Sequence, residues 1–416
     1  MRIIKEASKE AIQFHSECRT VDVHCHPSIK VKLFNFNIYD RIHKVIGQAK
    51  PDDNEEIFQM QYDLWQMSNG GIDSIWSSIY VVEREFAENS SMKYGVFLSK
   101  VLGLGLDESI ERDTNEGPFN QAIDIMDRME AQMKKAQKAG WEATYAFSYN
   151  EFEQALSEGK KCFVHTLEGA HMLGRHYDKL QTYLDRLKSF AQRGVCSMTL
   201  AHFIPNNICF PASGISPKTR AGLAFLFDYD PYEKRGLTSV GHEVVNSMLD
   251  LGIIVDLNHV TPRGREDVYK LNEDRESRGL KKRPLVFTHT GIRDNCTKEL
   301  LTPTKEEIIR IQKCNGIIGV IFMNYWLVGT EGIPDDGIEN IVKTINDIAA
   351  ICGSSYDNIA IGTDMDGFTQ PVDDLYSPVQ MPRLTQAMID SKIKPEDIKK
   401  VLGENAIRVM KDGWGK

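Results

Sequence analysis

The sequence has no Cys-x-x-Cys pair, no block of like charges, no low-complexity tract and no apolar run long enough to span a bilayer. Each absence removes a class of protein. The eight cysteines are scattered through 416 residues, and they read as reduced, mostly buried thiols rather than a disulfide framework. A formal net charge of −9 denies a nucleic acid the basic footprint that its phosphates need. The stretch "MRIIKEASKEAIQFHSE" lacks the apolar core of a secretory signal, and "RVMKDGWGK" carries no hydrophobic anchor. The expectation is a cytoplasmic chain with neither a membrane nor a nucleic acid as partner. No Gly-x-Gly-x-x-Gly follows the first strand-like run, which weighs against an open dinucleotide-binding sheet.

What is present is a repeating alternation. With 41% hydrophobic residues the chain can bury a large core. From residue 160 onward a short apolar run is followed by a loop, an amphipathic stretch, a glycine and the next run. "KCFVHTLEG" (161–169) reads as a strand, and Leu180, Tyr183, Leu184, Leu187 and Phe190 then fall at helical spacing. Gly194 and Gly252 stand where left-handed helix caps are expected, and Thr304 with Glu307 forms a capping-box pattern. Eight candidate strands begin near residues 20, 75, 162, 196, 254, 285, 317 and 359. Strands alternating with helices imply parallel βα units, and eight of them suggest one closed (β/α)₈ barrel domain over residues 1–416. A helical insertion is expected at 83–160, after the second strand. A long rim loop is expected at 203–236, after the fourth.

In such barrels the chemistry sits at the C-terminal ends of the strands. The first predicted strand ends in "VDVHCHPS", with His24 and His26 two residues apart. Side chains at that spacing point to one side of a strand, so both can reach one ion while Cys25 turns away. The third predicted strand runs into Glu168. The fourth ends in His202, the fifth in His259, the sixth in His289 and the eighth in Asp364. A single histidine beside a strand is more often a hydrogen-bonded structural group than a ligand. Here five of the eleven histidines recur at the same end of successive strands, and that recurrence carries the argument. Imidazole and carboxylate donors suit zinc. His24, His26, Glu168, His259, His289 and Asp364 would supply ligands for two divalent ions, with Glu168 between them. His165, inside a strand, is expected to be structural. His15, His43, His171, His176 and His242 are expected at the surface or in caps, and Met365 and Phe368 in packing.

At these residues the sequence resembles the membrane (renal) dipeptidase family of the amidohydrolase superfamily. The resemblance runs from about residue 20 to residue 410. It is carried by "LEGAHML", "SMTLAHFIPN", "GLTSVGHEVVNSMLDLGIIVDLNHVT", "PLVFTHTGIR", "IAIGTDMDGF" and "GENAIRVM". It implies a (β/α)₈ barrel with two zinc-like ions that cleaves dipeptides or dipeptide-like substrates through a hydroxide bridging the metals. By position Glu168 corresponds to the bridging carboxylate, and His259 and His289 to ligands of the second metal. Asp364 corresponds to the catalytic acid/base and His202 to a catalytic, substrate-contacting histidine. Arg293 matches a substrate-binding arginine common in bacterial relatives, and a homodimer is among the family's states.

The sequence departs from the pattern twice. His24-Cys25-His26 stands where the family usually has His-x-Asp, which removes one negative charge. Leu300 stands where the family has an arginine for the substrate carboxylate. The second departure keeps an alternative open: the same metal chemistry on an N-acyl amino acid, a lactone or a cyclic amide. A catalytically silent metal-binding barrel is the remaining alternative.

Overall fold

The computed structural model describes residues 6–40, 60–84, 117–174, 178–212, 232–296, 300–329, 337–367, 371–372 and 374–415. His43, His176, Phe368, residues 85–116 of the expected insertion and residues 213–231 of the expected rim loop lie outside them.

Nine parallel strands are described. They are β1 (Val21–Cys25), β2 (Ser74–Ile79), β3 (Ala143–Ala146), β4 (Lys161–Glu168), β5 (Ser197–Thr199), β6 (Ile254–Asp256), β7 (Leu285–Thr290), β8 (Ile317–Val320) and β9 (Ile359–Ile361). The ladder runs β2-β1-β9-β8-β7-β6-β5-β4, and β4 pairs back onto β2 from Ser74↔Cys162 to Ile79↔Leu167. That closure makes the expected eight-stranded parallel barrel.

The strand β3 is an addition to the expected eight. It lies in the stretch read as mostly helical, between the helices Gly117–Lys138 and Tyr149–Ser157. Its place follows from the length of β4. Residues Lys161–Val164 of β4 pair with β3, whereas Thr166–Glu168 pair with β5. The short β5 reaches only the upper half of β4, and β3 takes up the backbone groups of the lower half. Four residues, "ATYA", bounded by a helix on each side, give too short an alternation to be told from a loop.

The helix ends follow local chemistry. Gly194 and Gly252 adopt left-handed φ of 75° after their helices. Thr304 and Glu307 form the reciprocal capping box of helix Lys305–Lys313. Pro27 opens the helix Pro27–Phe34 directly after His26, where its missing N–H costs nothing.

Two apolar clusters hold the fold. The larger lies between the strands and the outer helices. The smaller gathers alternate strand residues, including Val21, Val23, Trp76, Val164, Val286, Ile317 and Ala360, with Phe152, Val409 and Met410 from two helices. Trp76 is fully buried there, and its indole N–H points at Met410 Sδ, 3.3 Å away. A side chain of this size stabilises by roughly 4–6 kcal/mol on burial. The chain also packs tightly between β7 and the segment after β9. A Cβ at Gly362 would stand 1.7 Å from the Thr288 carbonyl oxygen, so only glycine lets the segment after β9 approach β7.

Candidate metal centre

The strand ends converge as the sequence suggests. His24 lies within β1 and His26 just beyond it, Glu168 closes β4, and His289 lies within β7. His202, His259 and Asp364 each stand past the last residue of β5, β6 and β9. All seven are buried. Two of them are held in the left-handed region, His259 at φ 61° and Asp364 at φ 56°, a sparsely populated conformation for residues other than glycine. Backbone bonds impose it at Asp364. Its N–H donates to the His24 carbonyl at 2.9 Å, and His26 N–H donates to the Met365 carbonyl at 2.9 Å. The end of β1 is thereby zipped to the segment after β9, which sets Asp364 beside His24.

Glu168 is the centre of the arrangement. Its Oε1 lies 3.4 Å from His24 Nε2, 3.3 Å from His259 Nε2 and 3.6 Å from His289 Nε2. Its Oε2 lies 3.0 Å from His26 Nε2 and 3.8 Å from His202 Nε2. The Nε2 atoms also pair, His24 with His26 at 3.0 Å and His259 with His289 at 3.1 Å. Asp364 Oδ1 lies 3.5 Å from His26 Nε2 and 3.7 Å from His24 Nε2. Three overlapping groups of candidate ligand atoms result: His24–His26–Glu168, His24–His289–Asp364 and Glu168–His259–His289.

The electrostatics suit cation binding. Burial pulls His24 down to about 4, lowers His259 and takes His289 well below the ordinary imidazole value. These rings are therefore neutral near pH 7, the form that ligates. Burial opposes ionisation of Glu168, but the His202, His26 and His24 rings around it outweigh that cost and hold it well below the usual carboxylate range. Asp364 goes the other way: burial, then Glu168 and Asp22, push it well above. Burial would lower His202, but Glu168 and Glu83 outweigh it and raise the ring.

The donor set fits divalent metal binding on the structure's own terms. A hydroxyl fixes two of the rings. Thr288 Oγ1 lies 2.9 Å from His289 Nδ1 and 3.3 Å from His24 Nδ1, and it donates its own proton to Asp256 Oδ2 at 2.6 Å. With its hydrogen given away, that oxygen can only accept. The protons of His24 and His289 therefore sit on Nδ1, and their Nε2 lone pairs are bare toward Glu168. Each of these bare nitrogens faces a second imidazole nitrogen, His26 Nε2 at 3.0 Å and His259 Nε2 at 3.1 Å, so the donor atoms converge as ligands of a cation would.

The sequence reading missed the groups that brace the cluster. Asp22 accepts from the N–H groups of His24 and Thr363, from Thr363 Oγ1 at 2.6 Å and from the Tyr62 hydroxyl. Asp256 accepts from Thr199 Oγ1 at 2.8 Å and from the N–H groups of Asn258 and Thr288, besides the Thr288 hydroxyl. A signal for both existed: each is an acid embedded in an apolar run just before a histidine, in "VDVH" and "VDLNH". Glu83, which accepts from His202, had no such signal.

The remaining candidates divide. Arg293 donates to the carbonyls of Leu300 and Thr302, at 2.7 and 2.6 Å, and so braces the loop that follows β7. Leu300 packs its partly buried side chain against the apolar core. Cys25 is buried with Sγ toward the Trp76 carbonyl, away from the cluster, as expected. His165 is structural as expected, fully buried against Glu130 and stacked on Tyr145 at 4.3 Å. Met365 is buried in the core. His242 bonds the Thr238 carbonyl at the start of its own helix. Two expectations are corrected. His15 and His171 are not at the surface. His15 is buried between Thr385 Oγ1 and the Gly70 carbonyl, and His171 bonds the Val81 carbonyl from within the barrel rim. Both bond partners lie far away in the chain, where local spacing gives no signal.

Comparison with known proteins agrees with this architecture. The chain is 25% identical over 297 residues to Dipeptidase tcpJ of Claviceps purpurea (strain 20.1), covering 70% of this chain and 59% of that protein. It therefore spans less than two thirds of that relative's length. Among solved structures, the probable dipeptidase PvdM from Pseudomonas aeruginosa superposes with a TM-score of 0.69 at 17% identity, over 98% of each chain. A metallopeptidase from Rhodobacter sphaeroides, liganded with a phosphinate mimic of the dipeptide L-Ala-D-Ala, superposes with a TM-score of 0.68 at 18% identity, over 95% of this chain and 99% of that one. No helix among the described residues is long and apolar enough to cross a membrane. The profile of the membrane dipeptidase family, peptidase family M19, matches residues 8–413, from the first helix through the last, and the chain belongs to that family.

Proposed function

We propose that the chain is a metal-dependent hydrolase of dipeptides or dipeptide-like amides. One observation carries the reading: four imidazole Nε2 atoms from in or just after β1, β6 and β7 meet around one buried carboxylate, with Asp364 and His202 beside them. His24, His26 and Glu168 would hold one divalent cation, and Glu168, His259 and His289 a second, with Asp364 in reach of the first. Zinc suits these nitrogen and oxygen donors, and such ions supply Lewis acidity and lower the pKa of water toward ~7.

The chain's own groups do the rest. Asp364 is placed to take a proton from the attacking water and pass it to the departing amine. His202 turns Nε2 toward Glu168, and in the doubly protonated form that Glu168 and Glu83 favour it is placed to donate from Nε2 to the carbonyl oxygen as charge develops there. Burial of the whole cluster keeps bulk water from competing for these bonds.

The departure at Leu300 bears on the substrate. At that position the chain presents an apolar side chain packed on the core, and its carbonyl is held by Arg265 and Arg293. This favours substrates whose far end carries no free carboxylate, such as N-acyl amino acids, lactones or cyclic amides. The deciding experiment is hydrolysis by zinc-loaded protein of L-L and L-D dipeptides, their C-terminal amides, and an N-acyl and lactone panel. Cleavage of a free dipeptide in preference to its amide supports the dipeptidase reading. Equal or better cleavage of the amide supports the second. No cleavage of any member, with metal content verified, overturns both.

A further inference from the structure

Glu83 lies in the segment that follows β2, the strand that pairs with β4. It is 2% exposed, and the candidate ligand groups do not include it. Its Oε1 accepts from His202 Nδ1 at 3.2 Å and from the Phe203 N–H at 3.1 Å, and its Oε2 accepts from the Tyr80 hydroxyl. A buried carboxylate with three donors is a built feature, not a stray surface charge.

The His202 ring is held on several sides. Tyr80 meets it edge to face at 4.7 Å, Phe203 lies 3.9 Å away, and His259 meets it at 4.6 Å. These contacts fix the plane of the ring but not which nitrogen faces the mouth. The hydrogen bond to Glu83 does that. An ionised carboxylate only accepts, so Nδ1 must carry a proton, and Nε2 is left pointing at Glu168 Oε2, 3.8 Å away.

We infer that Glu83 is a positioning residue for His202: it binds Nδ1–H and so aims Nε2 at the place where the substrate carbonyl reacts. A carboxylate behind a catalytic imidazole sets tautomer and orientation in the same way elsewhere. The inference rests on the proposed role of His202, and its test separates the two.

Histidine ¹⁵N NMR of the zinc-loaded protein, with His202 assigned by difference from His202→Ala, reads the tautomer in the wild type. A proton on Nδ1 is expected, and a His202 protonated only at Nε2 overturns the inference whether or not any substrate is cleaved. Kinetics then weigh the consequence. Glu83→Ala should lower kcat about 10–100-fold with KM little changed and with metal content and Tm retained. Glu83→Gln keeps an acceptor for Nδ1–H and should recover most of that loss. The double variant Glu83→Ala/His202→Ala should be no slower than His202→Ala alone, because both act through one group. A full additive loss, or Gln no better than Ala, means that Glu83 only braces the loop. A wild type without hydrolytic activity sinks the proposed function and leaves the NMR result to decide the placement of His202.

Discussion

The hydroxyl of Thr288 donates to Asp256 Oδ2 at 2.6 Å while its lone pairs face His289 Nδ1 and His24 Nδ1. His24 and His289 each belong to two of the three candidate ligand groups, so a single hydroxyl orients rings in every group. Asp256 is itself held by three further donors, which makes the brace rigid. Thr288→Val keeps the shape and deletes the acceptor. Metal affinity should fall about 10–100-fold, as is typical when a partner behind a ligating histidine is lost. Competition against a zinc-sensitive chelator measures it, and an unchanged dissociation constant would remove Thr288 from this role.

Asp364 stands in a different relation to the cluster, 3.5–3.7 Å from two rings that have other partners. Asp364→Asn is therefore expected to bind close to the wild-type complement of metal while kcat drops ~10²–10⁴-fold, the range for losing a general acid/base. Metal analysis and steady-state kinetics on one preparation check both halves. Near-full activity in the variant would show that another group moves the proton.

Arg265 is fully buried and joins three segments. Its guanidinium pairs with both oxygens of Glu307 and donates to the carbonyls of Val260, Leu300 and Leu301. Arg265→Met leaves Glu307 without its buried cation and removes a donor from three carbonyls, and should cost about 3–5 kcal/mol in urea unfolding. Because Val260 follows His259, activity should also become less tolerant of heat. A loss below about 1 kcal/mol would mean that water replaces the guanidinium without penalty.

A pH effect away from the metal cluster comes from His15. Burial holds its pKa below the ordinary 6.5, while the ring ties the first helix to Gly70 and Thr385. The unfolded chain takes up a proton here as pH falls through about 6.5, and the folded chain does so only lower. The stabilising contribution is thus complete above about 6.5 and is lost as pH falls toward the folded value. His15→Gln should be less stable than wild type at pH 7.5, and the gap should narrow at pH 5.5. A gap that widens on acidification would contradict the sign.

Much of this molecule is legible in its sequence. Strand periodicity places alternate side chains on one face, and parallel βα units place all strand C-termini at one end. Those two rules suffice to nominate His24, His26, Glu168, His202, His259, His289 and Asp364 together. The capping residues Gly194, Gly252 and Thr304 act within a few residues of themselves, and local chemistry is what a linear string records best.

The tertiary structure alone decided how the nominated groups are aimed. Glu83 meets His202, Thr288 meets His24, and His15 meets Thr385 across separations of 119, 264 and 370 residues. The left-handed turns at His259 and Asp364 arise from backbone bonds to distant segments, and β3 exists because β5 leaves half of β4 unpaired. Residue order determined which donors stand at the barrel's mouth, because strand direction and alternation are properties of the local chain. Ring orientation, tautomer and charge state followed only from closure of the barrel, because they depend on burial and on hydrogen-bond partners that sequence neighbours cannot provide.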